Sequence, residues 1–282
     1  MYAALVNRRA FLGRTGLVAG GALIGGGAIG AGVATAAEQG QLDKRNPASG
    51  MAVGAHRPPT VATTTITYRV PTDQPVVALT LDDGPSTKYT QRVLDILERK
   101  NVRATFNLIG KHAQALPDLA GRVAERHEIG NHTWSHPNMS FAPAPYADGQ
   151  LRRGAKAITE ATGHVPATYR PPYGYFSGAT IMVATGMGYP IIMWDFEFNQ
   201  HGESAAANIA RMTGLVRPGS IILGHDGGTL NCEVVVSALP ELIDRIHDKG
   251  LRFVTTSEIL AVPHAPTGSR NPADPTAPPA MI

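Results

Sequence analysis

The chain has 282 residues, 43% of them hydrophobic and 17% charged, enough to bury one large domain or two small ones. Its single cysteine, Cys232, excludes an intramolecular disulfide and a cysteine-rich metal site. The formal charge of +3 and isoelectric point near 9.1 do not indicate nucleic acid: without Arg8, Arg9 and Arg14 of the N-terminal stretch, 22 of 25 basic residues remain against 22 acidic ones.

Residues 1 to 36 read as an export leader. Asn7-Arg8-Arg9-Ala10-Phe11-Leu12 resembles a twin-arginine signal, and no charge follows between residues 15 and 37. Ala34-Thr35-Ala36 offers a small-residue cleavage site. The same run is long enough to span a membrane, but nine glycines between Gly13 and Gly32 lower its hydrophobicity and favour a removable leader. Contact with a membrane is therefore expected only through an uncleaved leader. Residues 37 to 74 carry Pro47, Pro58, Pro59 and Thr63-Thr64-Thr65 and read as a linker, with a short strand at 66 to 70.

From residue 75 the pattern alternates. Apolar, β-branched segments predict strands at 76–81, 104–109, 167–170, 190–194, 220–224 and 252–255. Amphipathic segments predict helices at 89–100, 113–126, 146–161, 179–186, 205–215 and 234–249. Such alternation implies an α/β fold of parallel strands with crossover helices, either an open doubly wound sheet or a barrel. No glycine-rich dinucleotide fingerprint follows the first strand. Residues 263 to 282, rich in Pro, Ala and Thr, read as a disordered tail.

Four segments carry chemistry. Strand 76–81 runs into Asp82-Asp83-Gly84-Pro85, placing two acids at the carboxyl end of a buried strand, where α/β proteins hold ligands. Taken alone, it also reads as an Asp-Gly turn with a helix cap. Gly130-Asn131-His132-Thr133-Trp134-Ser135-His136-Pro137 spaces two histidines four apart, and on a helical turn they would share one face. With one carboxylate they would form a three-ligand site with an open position, suited to catalytic zinc or non-haem iron. Tyr169-Arg170-Pro171-Pro172-Tyr173-Gly174 follows a short strand, and Ile221-Ile222-Leu223-Gly224-His225-Asp226-Gly227 is another apolar strand ending in polar residues. Singly, these last two read as a stiff turn and a strand-end histidine.

In this order, Asp82-Asp83-Gly84-Pro85, His132-x-x-x-His136, Arg170-Pro171-Pro172-Tyr173 and Leu223-Gly224-His225 resemble the motifs of the polysaccharide deacetylases, the family 4 carbohydrate esterases with a nodulation-factor deacetylase homology domain. The resemblance covers residues 75 to 262 and implies a single catalytic domain with a distorted (β/α) barrel. It implies that Asp83, His132 and His136 bind a divalent metal, zinc or another such as cobalt. It further implies that Asp82 is the general base, steadied by Arg170, and that His225 is the general acid. The Tyr173 N–H would serve the oxyanion, and Leu223 would line the acetyl pocket.

The chemistry asks for those types. An acetamide is a poor electrophile that a metal can polarise while activating water. The oxyanion needs a positive site and a donor, and the departing nitrogen must be protonated. One segment departs from the family pattern, which places Asp-x-x-Asp-Trp after a strand tryptophan. Here Trp194-Asp195-Phe196-Glu197-Phe198-Asn199-Gln200-His201 puts Glu197 at the first Asp position and Gln200-His201 in place of Asp-Trp. Glu197 is the expected carboxylate partner of His225, with Asp195 as its competitor.

The reading is an exported deacetylase acting on N-acetylated amino sugars of a cell-wall polysaccharide. Peptidoglycan comes first, chitin-type oligomers second and acetylated xylan third. Its rivals are a non-catalytic carbohydrate-binding relic of the same fold and an iron oxygenase with the same ligand triad.

Overall fold

The computed structural model describes residues 63–198, 203–228 and 232–264. The leader, most of the linker, the Gln200-His201 pair and the tail from 265 onward lie outside the described residues. Nine strands are present among them: β1 (Ile66–Thr67), β2 (Val76–Asp82), β3 (Thr105–Leu108), β4 (Glu128–Asn131), β5 (Thr168–Tyr169), β6 (Ile191–Ile192), β7 (Phe196–Glu197), β8 (Ile221–His225) and β9 (Arg252–Val254). The helices are α1 (Thr90–Arg99), α2 (Gly110–Ala115), α3 (Pro117–Ala124), α4 (Ala144–Thr162), α5 (Gly178–Gly186), α6 (Ala205–Leu215), α7 (Cys232–Asp248) and α8 (Thr256–Leu260).

The strands run in the order β1-β6-β5-β4-β3-β2-β8-β7, with β9 against the start of β2, and every ladder is parallel. The sheet curls until the segment after β1 reaches the start of β8. There Arg69 bridges Ser220, and the Val70 N–H donates to the Gly219 carbonyl at 3.0 Å. The result is a distorted, incompletely closed (β/α) barrel. That curl, which periodicity could not supply, separates it from an open sheet.

β2 is buried along its whole length, as its unbroken apolar run requires. Side chains alternate across a strand. Val77, Leu79 and Leu81 pack outward in one cluster with Leu97 of α1 and with Leu239 and Ile243 of α7. Val76 and Ala78 pack with Ile192 and Ile221 in a second cluster on the barrel side. Thr80 and Asp82 continue that inner face, so the alternation which buries the valines also aims Asp82 inward.

Several expectations need correction. The single helix at 113–126 is two, α2 and α3, because Pro117 disfavours a helical residue before it, and Leu116 adopts φ −132°, ψ 59°. The strands at 167–170 and 190–194 shorten to two residues each, bounded by Pro171 and Pro190, which donate no ladder hydrogen bond. β4, β7 and α8 were not expected. β4 reads Glu-Ile-Gly-Asn and has no apolar run to reveal it.

Candidate metal and catalytic site

Parallel strands deliver their carboxyl ends to one rim, and the motifs meet there. Register pairs Asp82 with Asn107 on one side and with His225 on the other, and Asn131, just before His132, with Tyr169, just before Arg170. A cavity of about 640 Å³ is lined by Asp82, Asp83, His132, His136, Tyr173, Leu223, His225 and Glu197, among others. All the site residues read from the sequence except Arg170 therefore face one space, and Arg170 lies buried directly behind Asp82.

The two histidines do not share a helical face. They lie in the loop after β4, where Thr133 (φ 69°) and His136 (φ 59°) are left-handed. The loop itself folds both rings toward Asp83. Asp83 Oδ1 stands 3.4 Å from His132 Nε2 and 3.2 Å from His136 Nε2. His132 Nδ1 meets the Arg170 carbonyl at 2.8 Å. A carbonyl only accepts, so Nδ1 carries the proton and Nε2 is left to face the carboxylate. Asp83 is also left-handed (φ 73°), and Gly228 leaves it room: a Cβ on Gly228 would lie 2.3 Å from Asp83 Oδ2. Non-glycine residues in this region carry backbone strain, and four of the five in the described chain are Asp83, Thr133, His136 and Tyr173.

The electrostatics match the geometry. Burial pushes the Asp83 carboxyl up, but the close approach of His132 and the His132, His136 and His225 charges outweigh it and hold the group at about 2. Burial pulls His132 down, yet Asp82, Asp83 and the Arg170 carbonyl hold it above the usual imidazole range. His136 is held below that range by burial and by His132. Asp83 Oδ1 is buried and makes no hydrogen bond, and the three donor atoms lie within 4.8 Å of one another. An orphaned carboxylate oxygen facing two free imidazole nitrogens fits a divalent cation.

Asp82 is held from behind. Arg170 is fully buried and donates to Asp82 Oδ1 (2.9 Å), Thr80 Oγ1 (2.6 Å) and the carbonyls of Ile192 and Met193 (both 2.9 Å). Asn107 Nδ2 adds a bond to Asp82 Oδ1 at 2.7 Å. Asn107 was missed in the sequence, although a buried amide in the apolar Thr-Phe-Asn-Leu strand was a legible signal. Its place depends on Gly130, whose Cβ would fall 2.1 Å from Asn107 Oδ1.

Across the cavity, the Tyr173 N–H makes no hydrogen bond among the described residues, and Tyr173 is left-handed at φ 59°. Leu223 is buried in the wall. His225 and Glu197 share the cavity, but no ion pair joins them, nor does any described carboxylate approach a His225 nitrogen within 4.0 Å. Asp195 is committed elsewhere: it accepts from Ser220 Oγ (3.1 Å) and the Ile221 N–H (3.0 Å), and burial pushes its carboxyl up to about 6. Asp226, also missed, is fully buried beside the site, and burial together with the Asp83 and Asp82 charges pushes it to about 7. It ties two rim loops together: its carbonyl accepts from Ser86 Oγ at 2.6 Å and its N–H donates to the Asp82 carbonyl at 3.1 Å.

The polysaccharide deacetylase family model matches residues 69–192. A peptidoglycan-N-acetylglucosamine deacetylase of Bacillus cereus is 36% identical over 187 residues, covering 66% of this chain and 68% of the relative. Among solved structures, the Bc1960 peptidoglycan N-acetylglucosamine deacetylase, in complex with an N-hydroxybenzamide, superposes with a TM-score of 0.67 at 34% identity, covering 70% of this chain and 92% of that one. A family 4 acetyl xylan esterase from Clostridium thermocellum, in complex with a cobalt ion, gives 0.61 at 30% identity over 66% and 90% of the two chains. With the fold and four motif segments on one rim, these matches mean that the chain belongs to the polysaccharide deacetylase family and is a polysaccharide deacetylase.

Proposed function

We propose that the enzyme removes N-acetyl groups from amino sugars of peptidoglycan, releasing acetate and a free amine, after export to the cell wall by the twin-arginine route. The catalytic unit is 75–262 together with the end of the linker, whose β1 and Arg69–Val70 segment belong to the same sheet, preceded by the leader and followed by the tail. The carrying observation is the arrangement in one cavity of an Asp83, His132, His136 donor set, an Arg170-backed Asp82 and His225. Zinc is the proposed metal, with cobalt as a competent substitute. Bound there, a divalent metal polarises the acetamide carbonyl and activates water.

Every other step falls to the chain. Asp82 takes the proton of the attacking water, with Oδ1 engaged by Arg170 and Asn107. The Tyr173 N–H donates to the developing oxyanion. His225 gives its proton to the departing nitrogen, which cannot leave as an anion. Leu223 excludes water around the acetyl methyl. The sequence similarity to a peptidoglycan deacetylase and the leader-like N-terminus support the wall as the site of action.

Paired substitutions test the division between adjacent acids. Asp82→Asn is expected to keep about one metal ion per chain and lose on the order of 10²–10⁴ in kcat. Asp83→Asn is expected to lose the metal. Equal metal loss in both variants would overturn the assignment.

A further inference from the structure

The site contains one permanent cation that the proposed mechanism does not use. Among the residues lining the cavity, Asp82, Asp83 and Glu197 are acids, and Lys111 is the one lysine or arginine. Its place is set by the loop that carries the metal-ligand histidines. The first N–H groups of α2 donate to that loop, Gly110 to the Thr133 carbonyl and Lys111 to the Trp134 carbonyl, both at 2.9 Å. The backbone of Lys111 is thus pinned beside His132 and His136, while its side chain is exposed and makes no hydrogen bond or ion pair among the described residues.

The other four described lysines are all engaged. Lys88 lies over the Tyr89 ring, Lys100 pairs with Asp244, Lys156 with Glu160, and Lys249 donates to the Thr213 and Val216 carbonyls. A cation in the first turn of a helix also works against the helix dipole, so the local fold gives no reason for a lysine there.

The same cavity offers surface for sugar rings. Tyr173 is 60% exposed and Tyr175 54%, with ring centroids 6.5 Å apart, and the Tyr173 and His136 rings meet edge-to-face with centroids 4.5 Å apart. The cavity that holds His132 and His136 therefore also presents two exposed aromatic faces and the Lys111 side chain in its lining.

Building on the function proposed above, we infer that Lys111 is a specificity-determining residue that receives a carboxylate carried by the glycan. The preferred substrate class is then a polymer of N-acetylated amino sugars in which some sugars bear carboxylated substituents, as in peptidoglycan, rather than neutral chitin or acetylated xylan. A partly exposed lysine–carboxylate contact supports a preference of about threefold to tenfold.

The test uses the metal-loaded full chain and two oligosaccharides of equal length, one neutral and one with carboxylated substituents on alternate sugars. The readout is the ratio of their kcat/KM values from acetate release. Wild type is expected to favour the carboxylated oligomer, and the ratio should fall as salt rises. Lys111→Met should reduce the ratio about threefold to tenfold and flatten its salt dependence, while Lys111→Arg should preserve it. The ratio is internal to each variant, so partial loss of folded protein does not alter it. An unchanged ratio in Lys111→Met, or no wild-type preference, overturns the role of Lys111 while leaving the deacetylase reading intact. Wild type that releases acetate from neither oligomer overturns the functional reading itself, and this proposal with it.

Discussion

Arg170 concentrates most of the site's architecture in one residue, and Arg170→Met tests it. The guanidinium is fully buried and serves Asp82, Thr80 and two carbonyls. Methionine fills much of the volume but offers no donor, leaving the Asp82 charge with Asn107 as its one side-chain donor. Removing one partner of a buried pair costs about 3–5 kcal/mol. In a domain of this size that corresponds to a fall in Tm of about 6–20 °C. The carbonyl of residue 170, which orients His132, belongs to the backbone and survives the substitution. The variant should therefore keep about one metal ion per chain while losing at least a hundredfold in kcat. Adding Asp82→Asn should recover about 1–3 kcal/mol, because no unpaired charge is left buried. Differential scanning calorimetry, metal analysis and acetate release make the assay. A Tm within 2 °C of wild type, or metal lost in step with activity, would refute this reasoning.

Two further predictions concern titration. Removing an anion lowers a nearby imidazole pKa, so Glu197→Gln should move the alkaline limb of the pH–rate profile to lower pH if Glu197 supports the acid, and an unmoved limb removes that role from it. Asp195→Asn should leave that limb in place and lower stability instead; a shift in Asp195→Asn would transfer the role. His127 is held at about 4, against an ordinary 6.5, first by burial and then by Arg126 and Arg103, and its Nδ1 accepts the Ala104 N–H at 3.3 Å. The unfolded chain binds that proton first, so stability should rise with pH between about 4 and 6.5, by at most about 3 kcal/mol from this group. His127→Gln should flatten that window in urea titrations, and an unchanged slope would show that other groups set it.

The motifs were legible because each ends a strand with residues a strand end does not need: Asp82-Asp83 after Leu81, and His225 after Gly224. Fold class followed from alternation, but closure did not, since it depends on the Arg69 to Ser220 approach, 151 residues apart in sequence. β4 escaped because Ile129 alone of its residues is an apolar core side chain, while Gly130 clears space for Asn107 and the Asn131 side chain donates to the Leu151 carbonyl. The His132–His136 spacing correctly suggested proximity for the wrong reason. Two left-handed residues fold the loop, and a helix would not have been needed. The expected pairing of Glu197 with His225 rested on counting from Trp194, and counting along a strand cannot fix how far a side chain reaches across a cavity.

The most direct measurement is acetate release from peptidoglycan fragments by purified protein, made before and after chelation and again after adding back zinc or cobalt. The protein as purified should turn over, lose turnover on chelation and regain it with about one ion per chain, and His136→Ala should show none of the three. Undiminished acetate release after complete metal removal, or normal turnover by His136→Ala, would contradict it.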